Sequence, residues 1–246
     1  TTGQQRQALG MSTLAFTVCF AVWTIFSIIG VRIKQELGLS ETEFGLLVAT
    51  PVLTGSISRL FLGILAEKYG GRLIFPIQMI TTAIAAFLLS WATTYPMFLL
   101  AALGVGLAGG SFIIGIAYVS RWYEAKDQGT ALGIFGVGNM GAAVTNFGAP
   151  FLVVAFGWET TAQIYAGVLL VMAAIFFTFT RTDPMTLHRR QSGEKAASAL
   201  MQLEPLKNPQ VWRFAVYYFF VFGAFVALAS WLPRYYVGAY NLDLQT

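Results

Sequence analysis

Charge is scarce in this chain: only 11% of its 246 residues are Asp, Glu, Lys or Arg, against roughly a quarter in soluble domains. With 57% of the residues hydrophobic, that scarcity excludes an ordinary water-soluble globule. Cysteine is nearly missing as well. The single Cys19 lies in an apolar run, so an internal disulfide is excluded and the side chain reads as a small buried hydrophobe. One histidine, His188, stands in a polar stretch beside Arg189 and Arg190 and reads as a solvated loop residue. A metal site needs several converging ligands, so no metal is expected. No nucleophile–base pair or phosphate loop is present either, and the glycine-rich runs fall inside hydrophobic segments. An enzyme is therefore not expected, nor any cofactor. The formal charge of +4 comes from basic residues that form no single patch, which excludes nucleic acid as a partner.

Long hydrophobic runs take the place of all this. A spanning helix needs about 20 apolar residues, and seven stretches qualify: Leu9 to Val31, Phe44 to Ala66, Leu73 to Ala92, Met97 to Val119, Thr130 to Phe156, Thr161 to Thr180 and Val211 to Leu232. Membrane β-strands would be about ten residues long with alternating polarity. These uniform runs show no such alternation, so the class is an all-α membrane protein in a lipid bilayer. The first run has no small-residue cleavage site after it and reads as a retained span, not a signal peptide.

With the N-terminus cytoplasmic, eleven basic residues fall inside (Arg6, Lys68, Arg72, Arg121, Lys126, Arg181, Arg189, Arg190, Lys195, Lys207, Arg213) and three outside (Arg32, Lys34, Arg234). That asymmetry sets the orientation by the positive-inside rule. Between spans six and seven, Arg181 to Gln210 is polar and holds Pro184, Pro205 and Pro209. The expected organisation is a six-helix bundle over 1–180, a cytoplasmic linker over 181–210, and over 211–246 the first helix of a second bundle. Six helices, a long linker and a further helix fit transporters built from two six-helix halves.

Two motifs carry a family resemblance. The loop after span two reads Gly63-Ile-Leu-Ala-Glu67-Lys68-Tyr69-Gly70-Gly71-Arg72, which resembles the major facilitator loop G-x-x-x-D-R-x-G-R-R with Glu67 for the usual aspartate and Gly71 where a basic residue is common. Gly70 and Gly71 permit a tight turn, and Glu67, Lys68 and Arg72 can pair across neighbouring helix ends; the plain alternative is an ordinary charged turn. Span five reads Gly129-Thr-Ala-Leu-Gly133-Ile-Phe-Gly136-Val-Gly138-Asn139-Met-Gly141. It is similar to the signature of the nitrate/nitrite porter family of the major facilitator superfamily. Gly133, Gly136 or Gly138, and Gly141 would let another backbone approach closely, and Asn139 puts an amide at membrane depth. Asn139 could equally bond a neighbouring helix.

Arg59 lies some 15 residues into span two, about 10 Å of helix rise before Ala66. A guanidinium there costs at least about 2.5 kcal/mol. Snorkelling would require the side chain to point against its usual direction. All eleven carboxylates, Glu36 to Asp243, fall in loops or at span ends, so the counter-charge is expected to be mobile. The planar fork suits the two oxygens of nitrate or nitrite. The resemblance implies that Arg59 is half of a substrate clamp whose second arginine comes from span eight. It further implies that Phe112, Tyr218 and Phe222 line the central cavity with Asn139, Gly138 and Gly141, and Phe20 and Trp23 are weaker candidates. Each aromatic could also be ordinary packing.

The mechanism these residues imply is alternating access around the bound anion, with Asn139 and Tyr218 supplying hydrogen bonds and Gly106, Gly109, Gly110, Gly138 and Gly141 letting helices slide. Spans one to seven hold no Asp, Glu or His as a proton carrier, so proton symport and nitrate/nitrite antiport both stay open. The first span leans toward the proton-symporting branch. The resemblance implies a multi-pass protein of the inner (plasma) membrane, monomeric as a complete chain. The rivals are a carrier of another anion, such as an organic phosphate or carboxylate, and a non-transporting membrane sensor.

Overall fold

The computed structural model describes residues 2–194 and 198–240; Lys195 and Asp243, counted among the charges of the sequence, and the stretch 241–246 lie outside them. Apolar runs of this length satisfy their backbone polar groups internally only as helices, and helices are what form. Span one is α1 (Thr2–Trp23) continued by α2 (Phe26–Leu37), which Gly38 closes in a left-handed conformation (φ 63°). Span two is α3 (Glu41–Tyr69), opened by a capping box in which Ser40 and Glu43 serve each other's backbone N–H. Gly70, at φ 91°, makes the turn into α4 (Gly71–Leu89). Gly71 has no such role: a Cβ there would stand 2.9 Å from Tyr118 Cγ, so it is a packing residue, not a turn residue.

Spans four and five share an interruption. α5 (Tyr95–Gly106) passes through a 3₁₀ turn, Leu107–Gly110, into α6 (Ser111–Ser120). α7 (Ala125–Gly136) likewise passes through Val137–Met140 into α8 (Gly141–Phe179). The stretch Ala125–Phe179 is 55 residues long, roughly 80 Å if straight and far beyond one bilayer. It is a hairpin. Gly157 sits at φ 82°, ψ 164°, a region essentially reserved for glycine, and the hydroxyls of Thr145 and Tyr165 meet at 3.1 Å across the fold-back. The six long apolar stretches therefore make the seven crossings expected.

After span six comes α9 (Pro184–Ser192), N-capped by the buried Asp183, and later in the chain stand α10 (Ala199–Gln202), a 3₁₀ turn and α11 (Pro209–Tyr240). Span one is the centre of the packing, with 83% of its most apolar window buried, while α11 has 11% of its own buried and lies at the edge. Phe147 and Leu100 are among many large apolar side chains turned outward, as suits helices solvated by lipid.

Candidate functional site

Arg59 is placed by glycine contacts between span two and span four. A Cβ on Gly109 would lie 2.9 Å from Gly55 Cα and 2.8 Å from Trp23 Cε2, so the two backbones meet almost directly. That approach aims the Gly109 carbonyl, inside the 3₁₀ turn, at Arg59, whose Nε donates to it at 3.1 Å. The guanidinium carbon is 5.2 Å from the ring centre of Phe222, 5.6 Å from Phe112 and 5.8 Å from Trp23. Three ring faces thus temper the cation's burial. Among the described residues no carboxylate lies within ion-pair distance of Arg59. Of its five N–H groups, the one on Nε is committed to the Gly109 carbonyl, and the Tyr218 hydroxyl stands beside the guanidinium as a further partner.

Arg59 borders a cavity of about 650 Å³ between α3 and α11. Among the described residues Arg59 is the sole charged one in its lining; Tyr218, Ser56 and Ser230 add hydroxyls, and Trp23, Phe222 and Trp231 add rings. Tyr218 and Phe222 stack at 4.9 Å, with Phe112 behind them at 6.1 and 6.2 Å. The arrangement can hold a small anion by one fixed cation and a few hydroxyls set between aromatic walls.

Arg59, Tyr218, Phe222, Phe112 and Trp23 are therefore brought together, with Phe20 packed behind Trp23 at 5.2 Å. Asn139, Gly138 and Gly141 are not in the cavity lining. Asn139 Nδ2 bonds the Gly136 carbonyl at 2.8 Å, and its Oδ1 is buried without a partner. Gly138 packs on Phe16, and a Cβ on Gly141 would run into the Thr17 carbonyl and stand 2.7 Å from Ala21 N. The close approach expected at Gly133 is not met, nothing lying within 4 Å of a Cβ there, and of the alternatives Gly136 and Gly138 it is Gly138 that is packed, against the Phe16 side chain; Gly133 and Gly136 fall on the other side of span five. Two further amides at membrane depth escape the sequence reading. Asn146 accepts from Ser27 Oγ and donates to the Ala229 carbonyl, both at 3.1 Å, tying span five to spans one and seven. Gln78 donates to the Leu107 carbonyl at 3.1 Å. A lone amide in an apolar run is the signal for both.

At the level of family, comparison with known proteins is decisive, since the Major Facilitator Superfamily model matches residues 11–246. The chain belongs to the Major Facilitator Superfamily. It is an integral, multi-pass membrane protein whose family and fold are those of transporters, not enzymes. Among solved structures it is similar to a bacterial homologue of the human lysosomal transporter Spinster in an inward-facing, unoccupied conformation, with a TM-score of 0.73 at 17% identity, over 100% of this chain and 58% of that one. Among sequences it is 43% identical over 251 residues to a probable nitrate/nitrite antiporter, NarK1, of Thermus thermophilus (97% of this chain, 55% of the relative). It is 31% identical over 241 residues to the nitrite extrusion protein of Bacillus subtilis (98% and 59%). The chain thus spans rather more than half the length of the curated relatives it matches.

The Major Facilitator loop motif is anchored by Glu67. Its carboxylate pairs with Arg121 at the end of span four and, at 3.5 Å, with Arg189 of α9, whose Nη1 also donates to the Glu67 carbonyl at 2.8 Å. Arg121 reaches on to Asp183 at 3.7 Å. The expected basic partners inside the loop take other roles: Lys68 lies over the Tyr69 ring, and Arg72 donates to the Phe177 carbonyl at 3.3 Å. Gly63 packs against Ile113 of span four.

Proposed function

We propose that this chain is part of a nitrate and/or nitrite transporter working by alternating access, with Arg59 as a substrate ligand. The single observation that carries this is a half-buried arginine in the apolar run of span two that lines an aromatic-walled cavity and has no carboxylate within ion-pair distance among the described residues. A planar oxyanion matches that fork in charge and geometry. The names of the relatives, a nitrate/nitrite antiporter and a nitrite extrusion protein, point to the same class of substrate. Tyr218 completes the pocket in this reading, and Asn139, with its free Oδ1, would turn to the anion when the helices shift. Gly138 and Gly141 then serve by holding span five on span one.

Residues 1–180 form one bundle in this reading, 181–210 the linker and 211–246 the opening of a second bundle, which would cover the exposed faces of α11. The N-terminus is cytoplasmic and the membrane is the plasma membrane. Glu67, Lys68, Gly70, Arg72 and Gly63 form a cytoplasmic gate element, the complete protein acts as a monomer, and coupling is to protons or to exchange of nitrite.

The test is nitrate uptake by the full-length protein in proteoliposomes. Arg59→Lys loses the bidentate fork and the Gly109 anchor, about 3 kcal/mol of charge-assisted hydrogen bonding or roughly 100-fold in uptake at low nitrate, with insertion unchanged. Normal uptake by R59K refutes the assignment. Uptake of an organic phosphate or carboxylate but not nitrate would hand the site to another anion carrier. Driving the same vesicles with a pH gradient or with trans nitrite separates symport from exchange.

A further inference from the structure

The two 3₁₀ turns differ in how they are held. In span five, Val137–Met140 contains its own tether, because Asn139 Nδ2 bonds the Gly136 carbonyl at 2.8 Å. In span four, the turn Leu107-Ala108-Gly109-Gly110 has no hydrogen-bonding side chain at all. A non-α segment in the middle of a span needs some group to fix it, and the turn's own side chains supply none.

Gln78 supplies it from span three. The residue is 2% exposed, and its Nε2 donates to the Leu107 carbonyl and to Thr82 Oγ1, both at 3.1 Å, while Oε1 accepts from Cys19 Sγ at 3.7 Å. An apolar side chain of the same length would fill the space without the cost of a buried amide in a membrane helix. Two residues beyond Leu107, the Gly109 carbonyl accepts Arg59 Nε. We propose that Gln78 is a positioning residue for anion binding: by gripping Leu107 it fixes the turn that fixes Arg59, so that the Nη edge faces the cavity before the anion arrives. Gln78 touches neither the cavity nor the anion, and the inference rests on Arg59 being the anion ligand.

The experiment compares nitrate uptake kinetics of the full-length protein and its Gln78→Met and Thr82→Val variants in proteoliposomes, beside the melting temperature of each without nitrate. Q78M removes the tether at constant length and should raise KM about tenfold, leaving maximal uptake and the nitrate-free melting temperature near those of the parent. T82V leaves the Leu107 bond in place and should keep KM within about twofold. Should Q78M fail to reach the membrane, Gln78→Asn, whose amide stands one methylene short of Leu107, is expected to show the same rise. An unchanged KM in Q78M or Q78N overturns the proposal, as does a fall in maximal uptake and melting temperature at constant KM, the mark of a purely structural amide. A tenfold rise in T82V also overturns it. If R59K transports normally, the anion reading itself has failed; if R59K is dead and Q78M is normal, only the positioning role has.

Discussion

Two glycines on span five, eight residues apart, should answer very differently to one added methyl group. At Gly141 a Cβ would collide with the Thr17 carbonyl and come within 2.7 Å of Ala21 N and 3.0 Å of Phe20 Cβ. The first two are backbone atoms of span one, the most deeply packed helix, so no rotamer change can relieve them. An ordinary carbon–heavy-atom contact is about 3.5 Å, so span one must move by the better part of an ångström against close-packed neighbours. The cost belongs at or beyond the upper end of overpacking, about 3 kcal/mol. At Gly133 a Cβ meets nothing within 4 Å, and alanine there gains helix propensity of up to about 1 kcal/mol. Thermal unfolding of the purified full-length variants without nitrate should therefore place Gly141→Ala well below the parent and Gly133→Ala level with it or above. A G141A protein as stable as the parent, and defective only in nitrate affinity, would refute the packing role and return Gly141 to direct substrate contact.

Arg121→Met strips the counter-charge from Asp183, which is fully buried, and from Glu67. It should cost about 3–5 kcal/mol, with a double-mutant cycle showing partial recovery in Arg121→Met/Asp183→Asn; a loss below about 1 kcal/mol for R121M would contradict a structural network there. Gly157→Ala forces a side chain into φ 82°, ψ 164° and should destabilise by about 1–3 kcal/mol in the same unfolding assay; an unchanged midpoint would mean that the hairpin turns elsewhere. Asn146→Leu removes the bonds to Ser27 and Ala229 and should lower stability by about 1 kcal/mol; an unchanged unfolding midpoint would mean that the amide does not bridge the spans.

The crossings are legible because hydropathy reads length, and length is what a bilayer selects. Boundaries run short: α3 begins at Glu41, not Phe44, since the Ser40–Glu43 box starts the helix in its polar flank. The 3₁₀ turns at Leu107–Gly110 and Val137–Met140 are invisible in the sequence, because an apolar run has the same hydropathy whichever carbonyl each N–H chooses. Glu67 stands out in the sequence through its loop motif, but its partners lie 54 and 122 residues away, at Arg121 and Arg189, and no local pattern predicts them. Arg59 stands out by itself as a charge in an apolar helix. Its ring of Trp23, Phe112 and Phe222 gathers side chains from spans one, four and seven, and only the family resemblance points to the last two.

The glycines of spans four and five act alike, by packing, but only those of span four reach the acceptor of Arg59. An arginine at membrane depth needs an acceptor, and under the proposed function a carboxylate would neutralise its charge permanently. A backbone carbonyl meets that need, and the α-to-3₁₀ switch of span four puts the Gly109 carbonyl where Arg59 can reach it. That switch sits where Gly106, Gly109 and Gly110 press on Pro51, Gly55 and Leu62 of span two, and Gly138 and Gly141 press span five on span one in the same way. Small residues at these points bring the helices close enough for main-chain atoms to do the work of side chains. The span-five glycines read from sequence as a substrate signature are thus packing residues where they make contact, Gly138 and Gly141 on span one, while the carbonyl that holds Arg59 comes from the glycines of span four.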